Sequence, residues 1–315
     1  MTGFPGVDHP AARVAPPVFR RILGQCLAGR ISPQVALMQM VCESESAVDV
    51  RAAVRDVMAS VAADSNADPI IRDRVHALAG TLAENEGGIE RIVGMLRSNT
   101  DTSAPAATVE EGIAFCERLF DWSVQQSEES SVALYSLGSA EVLGRATDEL
   151  VEQLAMWGTI GADRTVLQIG CGIGRFEYAL SSRVRAAYGI DVSQRMVQAA
   201  ARRCAGLANV HVAKCSGHDL ARFEAEQFDL VYAVDTFPYL VQSGLALVER
   251  HFDEVHRVLK ASGDFVIFNF SYRDDLDADR ADVRRLARER GLDLLDEGAQ
   301  LLRLWDGAGW RMRKR

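Results

Sequence analysis

Three glycines at alternate positions directly follow an apolar run. The run TVLQI ends at Ile169, and Gly170, Gly172 and Gly174 come next, before Arg175 opens a helical pattern. Glycine lets the backbone turn tightly and approach a ligand, because it carries no Cβ. The spacing is not G-x-G-x-x-G, and no lysine follows to complete a phosphate-binding loop. The glycines therefore predict either a close approach of backbone to ligand or a tight turn from strand to helix.

A carboxylate stands where a ribose ligand is expected. Asp191 ends the second apolar run, RAAYGID, 21 residues after Gly170. In an open α/β sheet, an acidic side chain at that point accepts hydrogen bonds from a ribose diol. Two other roles are open to Asp191, which are capping a helix at Ser193 and lying in solvent. Taken together with the glycine loop, the spacing favours the ribose role.

Polar and aromatic side chains follow the fourth and fifth apolar runs. They are Asp235, Thr236, Phe237 and Tyr239 after the fourth run, and Asn269, Tyr272 and Arg273 after the fifth. Because the carboxyl ends of parallel strands meet at one edge of a sheet, we expect these residues to face a ligand bound there. Asp235 can accept a proton or hold an amine, and an aromatic ring can favour a cation. Loop packing is the alternative role for each.

The positioning of these residues requires alternating strands and helices. From Thr165 onward, five short runs rich in Val, Ile, Phe and Tyr are separated by helical patterns: TVLQI, RAAYGID, NVHVAK, FDLVYAVD and GDFVIFNF. This alternation predicts right-handed crossovers and a doubly wound, mostly parallel sheet. The closing runs LDLLDEG, LLRLW and WRMRKR, with the turn DGAG, have hairpin spacing. They predict an antiparallel edge.

The first part of the chain has helical patterns throughout, and we expect it to be all-α. Helix starts are marked by Ser32 before Pro33, Asp68 before Pro69, and a capping box at Thr108 and Glu111. The polar stretch NTDTSAP at residues 99–105 is the best linker candidate. We expect a helical region over residues 1–100 and a second domain over residues 108–315. The apolar stripes of the first helices must pack on one another, on the core or on a second subunit, so a homodimer is one expectation.

Composition excludes several function classes. The 315 residues are 48% hydrophobic and carry a net charge of −9, which disfavours a nucleic-acid partner. No run approaches the roughly 18 apolar residues of a membrane helix, and the opening MTGFPGVDHP lacks signal-peptide features, so we expect a cytoplasmic protein without a membrane partner. Six scattered cysteines without a C-x-x-C pair predict no metal site. Three lysines against 32 arginines suggest a GC-rich bacterial source.

Five ordered segments resemble the class I S-adenosylmethionine-dependent methyltransferases. VLQIGCGIGRF resembles the first motif, YGIDVS the second, SGHDL the adenine loop, FDLVYAVDTFPYL the fourth motif, and EVHRVLKASGDFVIF the helix and strand that close the half-sheet. The resemblance covers residues 160–315, the expected core of the second domain. It implies a Rossmann-like, seven-stranded sheet with an antiparallel strand inserted by the last hairpin. It also implies S-adenosylmethionine as cofactor.

The resemblance implies a set of cofactor-binding residues in the motif segments. They are Gln168, Gly170, Cys171, Gly172, Gly174, Asp191, Val192, Met196, Ser216, Gly217, His218 and Asp235. Asp235 and Tyr239 are the candidates for positioning a substrate, and Tyr135 in VALYSLG is a candidate to fold over the cofactor. His251 and His256 lie on a helix with an apolar face, and packing or solvation is the favoured role for both.

The leading interpretation is a methyltransferase that acts on a small-molecule metabolite by in-line displacement. Such an enzyme mainly positions two reactants and excludes water, so the lack of an acid/base motif is no counter-argument. One alternative is a protein methyltransferase whose acidic helices hold a basic partner. Another is a non-catalytic regulatory protein, in which Gln168 and Ser216, both at positions where the family is usually acidic, mark a decayed site. The three intact glycines and Asp191 favour the enzyme.

Overall fold

A seven-stranded mixed sheet forms the centre of the protein. The structure, a computed structural model, describes residues 9–98 and 108–315. The strands, β1 to β7 in chain order, are Thr165–Ile169, Ala186–Asp191, Val210–Lys214, Phe228–Val234, Leu259–Phe268, Leu292–Gln300 and Ala308–Lys314. Their spatial order is β3-β2-β1-β4-β5-β7-β6, with β1 to β5 parallel. The order reverses between β1 and β4, and in open α/β sheets ligands bind at that switch point. The predicted Rossmann-like fold is therefore confirmed.

The C-terminal hairpin inserts β7 between β5 and β6, antiparallel to both. The buried Asp264 of β5 accepts hydrogen bonds from Arg311 Nε at 3.2 Å and from Arg313 Nη2 at 3.1 Å. The closing basic run is thus paired within the sheet. One expectation was wrong in detail, since LLRLW at 301–305 forms no strand and belongs to the loop between β6 and β7. Its apolar side chains pack under the N-terminal helices instead of extending the hairpin.

Thirteen α-helices occupy the described residues. In chain order, α1 to α13 are Pro17–Leu27, Pro33–Ser44, Ala47–Ala63, Pro69–Glu84, Glu86–Ser98, Val109–Gln126, Glu128–Val132, Ala140–Met156, Arg175–Leu180, Gln194–Arg203, Phe237–Ser243, Leu245–Val258 and Leu276–Glu289. The predicted caps of α2, α4 and α6 are confirmed. The side chains of Ser32, Asp68 and Thr108 accept hydrogen bonds from the backbone N–H groups of Val35, Ile70 and Glu111.

Two apolar cores lie on opposite faces of the sheet. One contains Leu167, Val231 and Phe265 and is covered by α12 and α13. The other contains Val166 and Leu230 and continues without a break into the buried side chains of α1 to α5. The helices of the first hundred residues therefore share a core with one sheet face. The expected linker at residues 99–105 lies outside the described residues, and the two-domain division stays a prediction.

Residues 9–98 and 108–315 contain neither a membrane-spanning helix nor a cluster of metal ligands. No helix there is long and apolar enough to cross a membrane. No group of three or more His, Cys, Asp or Glu side chains there could hold a metal ion.

Candidate active site

A cavity of about 410 Å³ lies at the carboxyl edge of the sheet, where β1 and β4 end. Its floor is the glycine loop after β1 and the turns after β2, β4 and β5. Its walls come from outside this core, from Met38 and Cys42 of α2, from Phe120 of α6, and from Trp305 and Asp306 of the β6–β7 loop. The cavity is therefore bounded by three parts of the chain that are distant in sequence.

The glycine loop uses a backbone conformation that other residues rarely adopt. Gly170, Gly172 and Gly174 have φ of 73°, 52° and 73°. A Cβ at Gly172 would lie 2.7 Å from the Val132 side chain, and one at Gly170 would lie 2.2 Å from Thr236 Oγ1. The loop is therefore a tight turn and also part of the cavity floor, since Gly170 and Gly172 line the cavity.

Asp191 joins the glycine loop to the start of α10. Its carboxylate accepts hydrogen bonds from Gly172 N and from Ser193 N, both at 2.9 Å. Burial raises its pKa to about 6, although these backbone donors oppose the rise. Asp191 thus makes the helix-start contact weighed from the sequence and also lines the cavity. A buried carboxylate held by two N–H groups at this point can still accept hydrogen bonds from a diol.

Gln168 stands beneath the glycine loop and is almost fully buried. Its Oε1 accepts a hydrogen bond from Tyr232 Oη at 3.3 Å, and its Nε2 donates to Gly170 O at 3.4 Å. The amide therefore connects β1, β4 and the loop without adding charge. A neighbouring acid, Glu177, is completely buried, and burial raises its pKa to about 8.

A helical segment covers the β1–β3 side of the cavity. It comprises α6 and α7 with the following turn, residues 109–136, and we call it the cover. Asp121 of the cover accepts hydrogen bonds from Ser193 Oγ at 2.6 Å and from Arg195 N at 3.0 Å. Glu117 pairs with Lys214, and Glu128 with Arg202. Asp121 therefore accepts a hydrogen bond from a backbone N–H group in the first turn of α10. The exposed ion pairs contribute little to stability.

Two residues with left-handed backbone meet at the ends of β4 and β5. Asp235 has φ of 56° and Asn269 has φ of 67°. Asn269 Nδ2 donates a hydrogen bond to Asp235 Oδ1 at 2.7 Å. Burial raises the pKa of Asp235, with Asn269 and Tyr272 opposing the rise. Asp and Asn adopt this backbone region more readily than other non-glycine residues, and the pair forms one polar end of the cavity.

Aromatic rings surround this end. Tyr239 lies edge-on to Phe120 at 5.1 Å and to Tyr272 at 5.7 Å between ring centroids. Tyr135 stacks on Trp305 at 5.8 Å. The predicted role of Tyr135 over the cofactor stays a prediction, but its ring lines the cavity. The result is a polar floor within an aromatic wall.

Most of the site residues predicted from sequence meet in this one cavity. Those that line it are Gln168, Gly170, Cys171, Gly172, Asp191, Val192, Met196, Gly217, Asp235 and Tyr239. Gly174, Ser216 and His218 are not among the lining residues. Gly174 packs against α10, where a Cβ would lie 2.8 Å from Ala200 Cβ. Ser216 is exposed, and its hydroxyl accepts a hydrogen bond from His218 N in a local turn.

Sequence reasoning missed several lining residues. They are Met38, Ile113, Cys116, Phe120, Arg175, Trp305 and Asp306. Only Arg175 had a local signal, because it directly follows the glycine loop. His251 proved to be packed, with Nδ1 2.9 Å from Leu247 O, and burial lowers its pKa. Burial also raises the pKa of Cys116 to about 12 and of Cys215 to about 11, so neither thiol is a ready nucleophile.

This chain is similar to one protein-family model and to several solved structures. Residues 167–267 match a family model described as a methyltransferase domain. Phosphoethanolamine N-methyltransferase 1 of Haemonchus contortus, solved with phosphoethanolamine and S-adenosylhomocysteine, is 16% identical, with 65% of this chain and 49% of that chain covered and a TM-score of 0.51. YcgJ from Bacillus subtilis is 20% identical, with 48% and 70% covered and a TM-score of 0.40.

A further solved structure is magnesium protoporphyrin IX methyltransferase from Synechocystis PCC 6803 with bound S-adenosylhomocysteine. It is 16% identical, with 55% of this chain and 84% of that chain covered and a TM-score of 0.42. At these identities the likeness is one of fold.

Proposed function

We propose that this chain, which carries the class I methyltransferase fold with a methyltransferase domain at residues 167–267, transfers a methyl group from S-adenosylmethionine to a small molecule. One observation carries the proposal. A single cavity runs from the Asp191 carboxylate, past the glycine loop, to the Asp235–Asn269 pair. A cofactor held at one end would thus present its reactive group to a second molecule at the other.

The residues at the Asp191 end fit the cofactor. The backbone at Gly170 and Gly172 can approach it closely, and the Asp191 carboxylate can accept hydrogen bonds from both ribose hydroxyls. Gly217, in the turn after β3, and Ile113 of the cover would flank the adenine. Arg175 is the one arginine or lysine among the described lining residues, which suits the cofactor's carboxylate.

Bound S-adenosylmethionine would supply a methyl group made electrophilic by the sulfonium. The protein's own contribution is then positioning and exclusion of water, and well-oriented reactants can lower a barrier by roughly 7 to 11 kcal/mol. Tyr239 and Phe120 present aromatic surface next to Asp235. The ring of Tyr239 can favour a positive charge nearby by about 0.5 to 2 kcal/mol.

The walls of the cavity favour a small substrate over a protein. Met38 and Cys42 of α2, together with Trp305, add walls to the cavity from outside the sheet. A methyltransferase that acts on a folded protein needs an open groove into which a side chain of that protein can reach. This observation supports the small-molecule reading over the protein methyltransferase. The Asp235–Asn269 pair and the rings of Tyr239 and Tyr272 give the cavity polar and aromatic groups for a second reactant, which supports an enzyme over a purely regulatory protein.

Calorimetry with S-adenosylhomocysteine tests the cofactor assignment. We expect it to bind, NADH not to bind, and Asp191→Ala to weaken its binding roughly ten- to a hundredfold, because a hydrogen bond to a charged group contributes about 1.5 to 3 kcal/mol. Asp56→Ala, an exposed aspartate of α3, is the matched control and should leave the dissociation constant unchanged. Equal affinity in the Asp191 variant would refute the ribose assignment.

Turnover tests the reaction. The purified protein should release S-adenosylhomocysteine from S-adenosylmethionine when it is supplied with small-molecule fractions of a cell extract, and should methylate no protein in that extract. Transfer of label to protein alone would favour the alternative.

A further inference from the structure

The lining of the cavity carries more carboxylates than basic side chains. Seven aspartates and a single arginine line the cavity within the described residues: Asp191, Asp219, Asp235, Asp274, Asp275, Asp279, Asp306 and Arg175. Several have partners of their own. Asp191 holds two backbone N–H groups, Asp275 caps α13, and Asp279 accepts hydrogen bonds from Ser271 and Arg273.

Two of the remaining aspartates, Asp235 and Asp306, line the same cavity. The negative charge of Asp306 contributes to raising the pKa of Asp235, after the larger effect of burial. Asp306 Oδ2 accepts a hydrogen bond from Gln39 Nε2 of α2 at 3.0 Å. Asp235 accepts hydrogen bonds from Asn269 and Tyr272, and the positive charge of Arg175 also opposes the rise of its pKa. Two carboxylates that share a low-dielectric site repel, so either one of them takes up a proton or a cation lies between them.

An independent observation points to a ligand at the same place. Tyr135 is 3% exposed, lines the cavity and stacks on Trp305, the residue before Asp306. Its hydroxyl makes no hydrogen bond of normal geometry with any described residue. Burial raises its pKa, Arg175 opposes the rise, and the charge of Asp235 adds to it. This buried hydroxyl interacts with Arg175 but keeps hydrogen-bonding capacity that a bound polar group would satisfy.

Resting on the proposed function, we infer that the methyl acceptor is a small amine, bound as a cation between Asp235 and Asp306 within the rings of Tyr239, Tyr272 and Trp305. We call these five residues the amine chamber. Carboxylates supply the opposite charge, and the rings supply cation–π attraction together with apolar contact for the rest of the molecule.

The transfer step follows from this arrangement. The bound ammonium gives one proton to the Asp235 carboxylate and becomes a neutral amine with a free electron pair. That pair forms the new nitrogen–carbon bond as the carbon–sulfur bond breaks, and the sulfur keeps the bonding electrons as a neutral thioether. The methylated nitrogen carries the positive charge, and Asp235 returns its proton to solvent. Asp306 takes no part in the proton transfer and acts as a positioning residue.

Cation preference can be tested on the intact protein saturated with S-adenosylhomocysteine. Calorimetry compares three ligands of similar size and different charge, which are propylamine, propan-1-ol and propionate. A second set is 2-phenylethylamine, 2-phenylethanol and phenylacetate. We expect the amine of at least one set to bind ten times or more tightly than its alcohol, with the carboxylate the weakest. If neither amine binds better than its alcohol, including the case in which none binds, the amine assignment is overturned.

A variant then locates the preference. Asp306→Asn keeps the hydrogen bond with Gln39 but removes the charge, so it should reduce amine affinity at least tenfold and leave S-adenosylhomocysteine affinity within twofold. Asp56→Asn, exposed on α3, is the matched control and should change neither. An unchanged amine preference in Asp306→Asn would overturn the chamber. Failure of S-adenosylhomocysteine to bind the unaltered protein would instead refute the proposed function itself, so the two failures are distinguishable.

Discussion

The ionisation of Asp191 should control cofactor binding within an accessible range of pH. Its carboxyl is buried, and its pKa is raised from 3.8 to about 6. Only the ionised form can accept hydrogen bonds from both ribose hydroxyls while holding Gly172 N and Ser193 N. Affinity for S-adenosylhomocysteine should therefore be constant above the pKa and fall as the pH drops through it.

The size of the effect follows from the pKa. Below about pH 6, each further pH unit should weaken binding about tenfold, or about 1.4 kcal/mol, because one proton must leave before the cofactor binds. At pH 5 the dissociation constant should be roughly ten times its value at pH 8. In Asp191→Asn, binding should be weaker at pH 8 and nearly independent of pH, because the amide does not titrate.

Isothermal titration of both proteins between pH 5 and pH 8 measures this directly. The same ligand is used with both, so any titration of the ligand itself appears equally in the two profiles and cancels in their difference. If the two profiles are parallel, Asp191 does not titrate in this range or does not contact the cofactor, and the reasoning from its burial is refuted.

Three further perturbations have defined outcomes. Asp121→Ala removes a negative charge that helps raise the pKa of Asp191, so the midpoint of the binding profile should move to lower pH, whereas an unmoved midpoint would show no coupling. Gly172→Val should abolish S-adenosylhomocysteine binding, because a valine is strained at φ of 52° and its side chain collides with Val132. If calorimetry shows that the variant keeps its affinity, the loop is only a turn and does not contact the cofactor. Glu177, with a folded pKa of about 8 against 4.5, destabilises the fold increasingly as the pH rises between those values, by up to about 1.4 kcal/mol per pH unit. In urea unfolding, Glu177→Gln should therefore gain stability over the unaltered protein from pH 5 to pH 8, and a constant difference would contradict the raised pKa.

The cofactor end of the site was predictable because its signals are local. Strand β1, the three glycines and Asp191 lie within 30 residues of one another, and the topology of an open sheet brings the ends of neighbouring strands together. The same reasoning placed Asp235 and Asn269 at one edge, where they are hydrogen-bonded. It could not show that both adopt left-handed backbone, since neither is a glycine.

The substrate end was not predictable, because its walls depend on contacts between distant residues. Nothing near Trp305 in sequence indicates that it stacks on Tyr135 or that LLRLW leaves the hairpin. The apolar pattern of LLRLW suits a strand, but burial against the N-terminal helices outweighs that preference. Gln39 is likewise a polar residue on an apolar helix, and only its hydrogen bond to Asp306 in the folded protein explains its position.

Helices α2 and α8 fix the position of a loop that lines the cavity. The β6–β7 loop that carries Trp305 and Asp306 is held from two sides. From α8, the carboxylate of Glu149 accepts hydrogen bonds from the backbone N–H groups of residues 303 and 304 at 2.7 and 3.1 Å. From α2, Ser32 Oγ donates to the carbonyl of residue 304 at 3.4 Å, and Gln39 donates to Asp306.

A loop without regular structure keeps a fixed shape only where other elements satisfy its backbone and bury its side chains. Helix α2 does both, and it also contributes Met38 and Cys42 to the cavity wall. The glycine loop and Asp191, which we propose hold the cofactor, lie within residues 167–267. On the proposed function, the amine chamber by contrast depends on helices outside the matched methyltransferase domain. On that proposal, substrate choice depends on α2 and on the β6–β7 loop, both of which lie outside residues 167–267.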